Sequence, residues 1–438
     1  MAEVVVVGGG VAGLSAALAA SRRGAKTTLV ESSKKVGVSK ALLPLLISGE
    51  RTEEDTILPE ARSLAEAGVE LRTGESVTSV EHKERRVRLS SSSGGRGTTI
   101  GFDSLVICTG AASDVPQLRG LSKPNVFVMS GVADYLRLSS AAGGLQTVAV
   151  SGTIPLALKV GQILAERGKS VQLYCGKNGL TRQFSAPVAG AIRRQVHTRG
   201  KTESVLLVDD AVDSILGVEK AEAVVSSGSV RTCDSVVLIP RSVPAAPEVD
   251  CEKGGDGGLL VDTSMSTSLP GIFAAGDNTE LRFKSSSVPA RLYSSSRVGG
   301  EVAGINASGG RAVASPSWAF EQAYFGLEFC SAGLTQGEAK GMGLQAATET
   351  AEARDVRLGV KRETFVSMVY DRETHQVYGV QVAGWRASSL SSAASLIVSL
   401  GLKAEQLLRL ESPYLPGSSF AVSPIALTAG KILGQKGS

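Results

Sequence analysis

The chain has 438 residues, 42% of them hydrophobic and 20% charged. That length exceeds what a single hydrophobic core serves, so two or three packed domains are expected, and the balance excludes a disordered or fibrous chain. Forty-six basic against forty-two acidic residues leave +4 with no concentrated Lys/Arg run, which argues against a nucleic-acid partner.

The apolar opening Val4–Val7 is only a strand long, follows no basic residue and runs straight into glycines, so it does not read as a signal peptide. No span of about eighteen apolar residues follows, so no transmembrane segment is expected and the protein reads as cytoplasmic. Glu3–Val7 is a continuous β-branched run, the mark of a parallel strand covered on both faces. Gly8-Gly9-Gly10-Val11-Ala12-Gly13 comes next, then an alanine-rich helix over Leu14–Arg23 and a second strand, Lys26–Val30, ending at Glu31. Strand, glycine turn, helix, strand and acid make a dinucleotide-binding unit. In such a unit Gly8 makes the tight turn, Gly10 admits a pyrophosphate to the backbone and Gly13 lets helix and strand approach. The helix N-terminus offers free N–H groups to the phosphates, and Glu31 can accept from ribose hydroxyls. Val11, Ala12, Ser32 and Val77 join them as candidate cofactor contacts.

Further along, Ser90–Gly97 reads as a hairpin loop and Gly254–Gly258 as a glycine-rich connection. Two apolar runs end in small turns: Phe102–Ala111, carrying Cys108-Thr109-Gly110, and Leu269–Asp277, closing on Gly276-Asp277. Ser285–Ser287 and Ser294–Ser296 are expected to flank the helix after Asp277. A shift of 144 residues lays Val4–Glu31 over Val148–Cys175 without a gap, so a second Rossmann-like unit is present. In this copy Gly152 matches Gly8 and Ala157 matches Gly13, but Ile154 and Pro155 stand where Gly10 and Val11 do, and Cys175 replaces the acid. A branched side chain where pyrophosphate should touch backbone is an obstacle. These residues argue against ordinary NADH binding; Lys177 and Arg182 leave NADPH as a milder alternative beside the simpler reading of solvated surface charge.

The two apolar runs resemble the "ATGA" turn and the second FAD motif of the pyridine nucleotide-disulfide oxidoreductases, in which the aspartate holds the ribityl chain. The layout is similar to that family over nearly the whole chain, within the branch of coenzyme A-disulfide reductases and NADH oxidases. The resemblance implies an α/β protein with two Rossmann-like three-layer domains, FAD-type and NAD(P)-type, and a C-terminal α+β dimerisation domain. It divides the chain into an FAD-binding part over 1–115 and 246–315, a degenerate NAD(P)-like part over 116–245 and a dimerisation part over 316–438. FAD is the implied cofactor, with Gly8, Gly10, Val11, Ala12, Gly13, Glu31, Ser32, Val77, Thr109, Gly110, Gly276 and Asp277 as its binding set. Lys159 stands where related reductases carry a glutamate near the nicotinamide. Phe325–Gly341, Val369–Arg372 with Val377–Gly384, and Leu410–Pro416 resemble the interface domain, which implies a homodimer with Tyr414 either reaching the partner's flavin or packing in the interface.

The family's redox cysteine lies in a segment whose counterpart is Ala41–Glu50, with Ala41 at the nucleophile's position. Alanine forms neither thiolate nor sulfenic acid, so family-type disulfide reduction is excluded there. The five cysteines form no C-x-x-C pair, so neither a disulfide framework nor a metal site is suggested; Cys108, Cys175 and Cys330 read as buried thiols. His82, His197 and His375 lie in polar, loop-like stretches and read as surface residues. The leading expectation is an FAD-dependent oxidoreductase whose flavin works without a protein thiol, its electron donor open. A non-catalytic or redox-sensing flavoprotein and an NAD(P)H oxidase or reductase with a modified nucleotide site are the alternatives.

Overall fold

In the computed structural model the run Glu3–Val7 is the middle strand of a five-stranded parallel sheet, ordered Ile272–Ala274, Ser104–Ile107, Glu3–Val7, Lys26–Glu31, Glu70–Thr73. The structure describes residues 1–91, 97–355, 362–415 and 419–435, so the loop expected over Ser90–Gly97 falls largely outside the described residues, as does Pro416. Val4 to Val7 are all buried, which is why this strand is β-branched throughout rather than alternating. The helix after it spans Val11–Arg22, starting three residues before the expected Leu14, because the turn at Gly8–Gly10 is complete by Val11.

Helix Tyr293–Ala307 lies across the opening helix. A Cβ on Gly300 or Gly304 would collide with the carbonyl oxygen of Ala12 or Ala16, so small residues on both helices set this close approach. An antiparallel sheet of Glu75–Glu81, Arg86–Ser91 and Thr98–Gly101 completes this part. These elements belong to a compact unit of Met1–Val115, Ser130–Tyr135 and Arg241–Pro316.

The second unit comprises Pro116–Met129, Leu136–Pro240 and Ser317–Ser438. It repeats the motif: Thr147–Gly152 is central in a parallel sheet ordered Val205–Val208, Ser170–Tyr174, Thr147–Gly152, Ser235–Ile239, Val126–Val128. The duplication extends to strand register, since Val4 faces Ser104 and Val148 faces Ser235. The same unit holds an antiparallel sheet, Phe320–Tyr324, Leu327–Gly333, Val377–Gly384, Arg362–Asp371, Ala346–Asp355. Val366, Met368, Val380 and Val382 pack under Ile397, Leu407 and Ile425 from the closing helices. Within this unit Ser185 N–H donates to Gln381 Oε1 (2.6 Å), and Phe184 meets Phe329 edge to face at 4.8 Å.

The α/β class with two Rossmann-type sheets and a C-terminal α+β part is therefore what the chain forms. Two expectations are corrected. Ser285–Ser287 do not flank a helix: the chain leaves Asp277 into a hairpin, Thr279–Phe283 with Ser286–Pro289, and Ser294–Ser296 lie inside the first turns of the helix that follows. His197 sits on helix Ala186–Glu203, exposed, rather than in a loop. No helix among the described residues is long and apolar enough to cross a membrane.

Candidate cofactor cleft

Gly8 adopts φ +99°, and a Cβ there would collide with the Cys108 carbonyl; a Cβ on Gly13 would collide with the Gly8 carbonyl. These two glycines are fixed by the protein's own backbone. Gly10 differs, because a Cβ on it would meet nothing within 4 Å, and the space it faces is a cleft of about 810 Å³. Gly8, Gly10, Val11, Ala12, Glu31, Ser32, Val77, Thr109, Gly110, Gly276 and Asp277 all line that cleft. Gly13 does not reach the lining, and its place is in the packing behind the glycine turn.

Glu31 does more than the sequence suggested. Its Oε2 accepts from Gly9 N–H and its Oε1 from Ser33 N–H, each at 2.7 Å, so it ties the glycine turn to the end of the second strand. Thr109 Oγ1 donates to the Ala245 carbonyl and Ala245 N–H donates to the Gly110 carbonyl (2.9 Å). These bonds join the strands Ala111–Asp114 and Arg241–Pro244, which bring Ala245–Glu248 to the cleft wall. Burial pushes the Asp277 carboxyl up from its ordinary range, opposed by the charges of Lys40 and Arg291 and by a hydrogen bond from Ser296.

Lys40 and Arg291 are lining residues the sequence reading missed. Lys40 Nζ donates to the Ala111 carbonyl at 2.8 Å. Next to it, Ala41 lines the cleft from the short helical stretch Lys40–Ser48, with no sulfur to offer. The five cysteines are all buried. Desolvation pushes the thiols of Cys108, Cys175 and Cys330 up to about 12 and that of Cys233 to about 11. Native protein is therefore expected to be nearly inert to a thiol-reactive disulfide dye at pH 8, whereas Ala41→Cys should add one rapidly reacting equivalent. Equal, slow labelling of both would show that position 41 is closed to solvent.

In the second Rossmann unit Gly152 repeats the strained turn at φ +141°, where a Cβ would strike the Ile239 carbonyl. Ile154 is buried, and its Cδ1 lies 3.6 Å from where a Cβ on Gly179 would be. The side chain thus reaches from the first loop of this unit toward the start of helix Gly179–Gln183, at the position where the first unit has Gly10 and no side chain. Lys177 is exposed on the loop after the second strand, Arg182 is exposed on the short helix Gly179–Gln183 that follows it, and Lys159 is partly buried on helix Leu156–Glu166. His82 and His375 are in turns, where His82 Nε2 meets the Pro270 carbonyl (3.2 Å) and His375 Nδ1 meets Glu405 Oε1 (2.6 Å). Tyr414 is exposed in the irregular stretch Arg409–Leu415.

A glycine turn opening onto a cleft that Gly276 and Asp277 also line, in a chain that carries a second Rossmann unit, defines a two-dinucleotide oxidoreductase architecture. The chain belongs to the pyridine nucleotide-disulphide oxidoreductase family, whose model matches residues 2–297, with the matching dimerisation domain over residues 320–422. It is 24% identical over 442 residues to the NAD(P)H sulfur oxidoreductase (CoA-dependent) of Pyrococcus furiosus, covering 98% of each chain. It is 25% identical over 444 residues to the NADH oxidase of Methanocaldococcus jannaschii, again covering 98% of each. The structure of the water-forming NADH oxidase from Lactobacillus brevis, bound to NADH, superposes with a TM-score of 0.88 at 18% identity, covering 99% of this chain and 98% of that one.

FAD is the flavin cofactor of the family, and the residues here fit it. A Cβ on Gly10 would meet nothing within 4 Å, so the glycine turn leaves its backbone open to the cleft, where a phosphate can approach it.

Proposed function

We propose that this chain is a homodimeric FAD-dependent oxidoreductase in which electrons pass through the flavin without a protein thiol. The observation that carries the reading is the composition of one cleft. Gly10 and Glu31 line it together with Asp277, and so does Ala41 at the position given to the family's redox cysteine. When bound, FAD supplies the electron-transfer chemistry. The protein's part is to hold it: the glycine turn and the N-terminus of helix Val11–Arg22 take the phosphates, Glu31 the adenosine sugar and Asp277 the ribityl chain. Ser32, Val77, Thr109, Gly110 and Gly276 complete the wall.

In this reading residues 1–115 and 246–315 bind FAD, 116–245 form the nucleotide-like part and 316–438 pair two copies. The NADH held by the Lactobacillus brevis protein favours a reduced nicotinamide dinucleotide as donor. A buried isoleucine at position 154, where the intact copy has glycine, weakens that engagement, and the same observation favours the second reading, a redox-sensing flavoprotein. Anaerobic titration of the purified holoprotein with NADH, NADPH and dithionite, followed by oxygen, separates them. Bleaching by a nucleotide and recovery in air support the enzyme. Bleaching by dithionite alone supports the sensor, and failure to bind FAD sinks both.

A further inference from the structure

Asp277 sits on a turn that the protein fixes from several sides. Ala275 N–H and Asn278 Nδ2 both donate to the Ile107 carbonyl, at 3.1 and 3.0 Å, and Thr279 Oγ1 donates to the Gly276 carbonyl at 2.7 Å. Gly276 has φ +95°, and a Cβ there would lie 3.1 Å from Ala12 Cβ and 3.7 Å from Ser296 Oγ. The turn is thus wedged between the opening helix and helix Tyr293–Ala307.

Side chains from separate elements act on the carboxylate. Ser296, 6% exposed in the first turns of its helix, donates its hydroxyl to it, and Lys40, at the start of the stretch Lys40–Ser48, acts on it through its charge, ahead of Arg291. All of them line the cleft with Asp277. An exposed lysine ordinarily keeps its ammonium in bulk water and its rotamers free. Lys40 is exposed, yet its Nζ donates to the carbonyl of Ala111, another lining residue, at 2.8 Å, so its charge is held at the cleft wall. A carboxylate kept from water tends to take up a proton, which a nearby cation and a hydroxyl donor oppose. Ionised, it only accepts hydrogen bonds, as a chain of sugar-like hydroxyls requires.

We propose that Lys40 and Ser296 are positioning residues for the flavin nucleotide: together they hold the Asp277 carboxylate ionised and in one orientation, free to accept from a hydroxyl of the bound cofactor. This rests on the cleft being the FAD site and on Asp277 taking the ribityl chain. Acidification that protonates Asp277 should weaken FAD binding. Removing the cation or the hydroxyl leaves burial less opposed, so the weakening should begin at higher pH.

The test uses reconstituted holoprotein, with the FAD dissociation constant read by fluorescence between about pH 5 and about pH 8. Lys40→Met is expected to weaken FAD about tenfold at the acid end and less at the alkaline end, moving the fall in affinity to higher pH. Ser296→Ala should move it the same way by a smaller step. Lys40→Arg keeps the charge and should hold the profile of the unaltered protein. Asp277→Asn cannot ionise, so its profile should be flat, and Lys40→Met added to it should change nothing further. A profile unmoved in Lys40→Met, equal shifts in Lys40→Met and Lys40→Arg, or an undiminished loss from Lys40→Met in the Asp277→Asn background overturns the proposal. If Lys40→Met fails to fold, Lys40→Gln decides on the same criterion: a fall moved to higher pH supports the proposal and an unmoved one overturns it. Native affinity in Asp277→Asn at every pH would refute the placing of the ribityl chain and this proposal with it. Failure of the unaltered protein to take up FAD would instead refute the reading of the cleft itself.

Discussion

Replacing Gly10 with valine is expected to give a folded protein that no longer retains FAD. The backbone at Gly10 is extended, φ −78° and ψ −166°, a conformation any residue adopts, and a Cβ there would meet no other protein atom within 4 Å. Valine therefore costs the fold little, while its branches occupy the space the pyrophosphate needs. A loss of at least about a hundredfold in FAD affinity is expected, about 2.7 kcal/mol, with the melting temperature of the apo form unchanged. Gly13→Val should behave oppositely. Its Cβ would strike the Gly8 carbonyl, so that variant is expected to lose the fold and the cofactor together. Fluorescence quenching on FAD addition, beside thermal melts of the two apo proteins, checks both. Native FAD affinity in Gly10→Val would mean that the flavin sits elsewhere.

The contrast between those glycines also shows what the sequence could disclose. A motif is legible when its residue types answer to contacts a few positions away in a repeated unit. Gly8 and Gly13 are glycine because backbone carbonyls crowd them, and the second copy repeats the requirement at Gly152. The same 144-residue shift exposed the duplication, because strand, turn and helix lengths are set locally. Lys40 and Arg291 were not legible, because lining a cleft is a property of topology. The sheet order Ile272–Ala274, Ser104–Ile107, Glu3–Val7 brings residues hundreds of positions apart to one edge, and no local spacing announces it. Glu280 was missed for a related reason. An acid between threonine and leucine reads as an ordinary charged position, yet the loop it clamps lies more than twenty residues upstream. The hairpin after Asp277 was misread as a lead into helix because Thr279–Phe283 is held by pairing with Leu259–Val261, a partner that its own sequence does not reveal.

The second large effect is expected at Ile154. Its side chain is 7% exposed and reaches toward Gly179, whereas the corresponding Gly10 of the first unit has no side chain and faces open space. Ile154→Gly removes four carbons there and restores the residue type of the intact copy. Binding of a reduced nicotinamide dinucleotide should tighten by a factor of ten or more, about 1.4 kcal/mol, and flavin bleaching under subsaturating nucleotide should quicken in proportion. NADPH should gain more than NADH: Cys175 offers no carboxylate to a ribose hydroxyl, while Lys177 on the adjacent loop and Arg182 on the short helix after it lie exposed. The substitution also removes buried apolar surface and adds a flexible residue, so the variant should be less stable by roughly 2–4 kcal/mol, and the titration belongs well below its melting temperature. Ile154→Ala should fall between the two in affinity, since its remaining Cβ still faces the backbone approach. Were all three proteins reduced by dithionite and none by either nucleotide, the obstacle would not be Ile154. Electrons would then reach the flavin from another carrier, and the redox-sensing reading would stand in place of the enzyme.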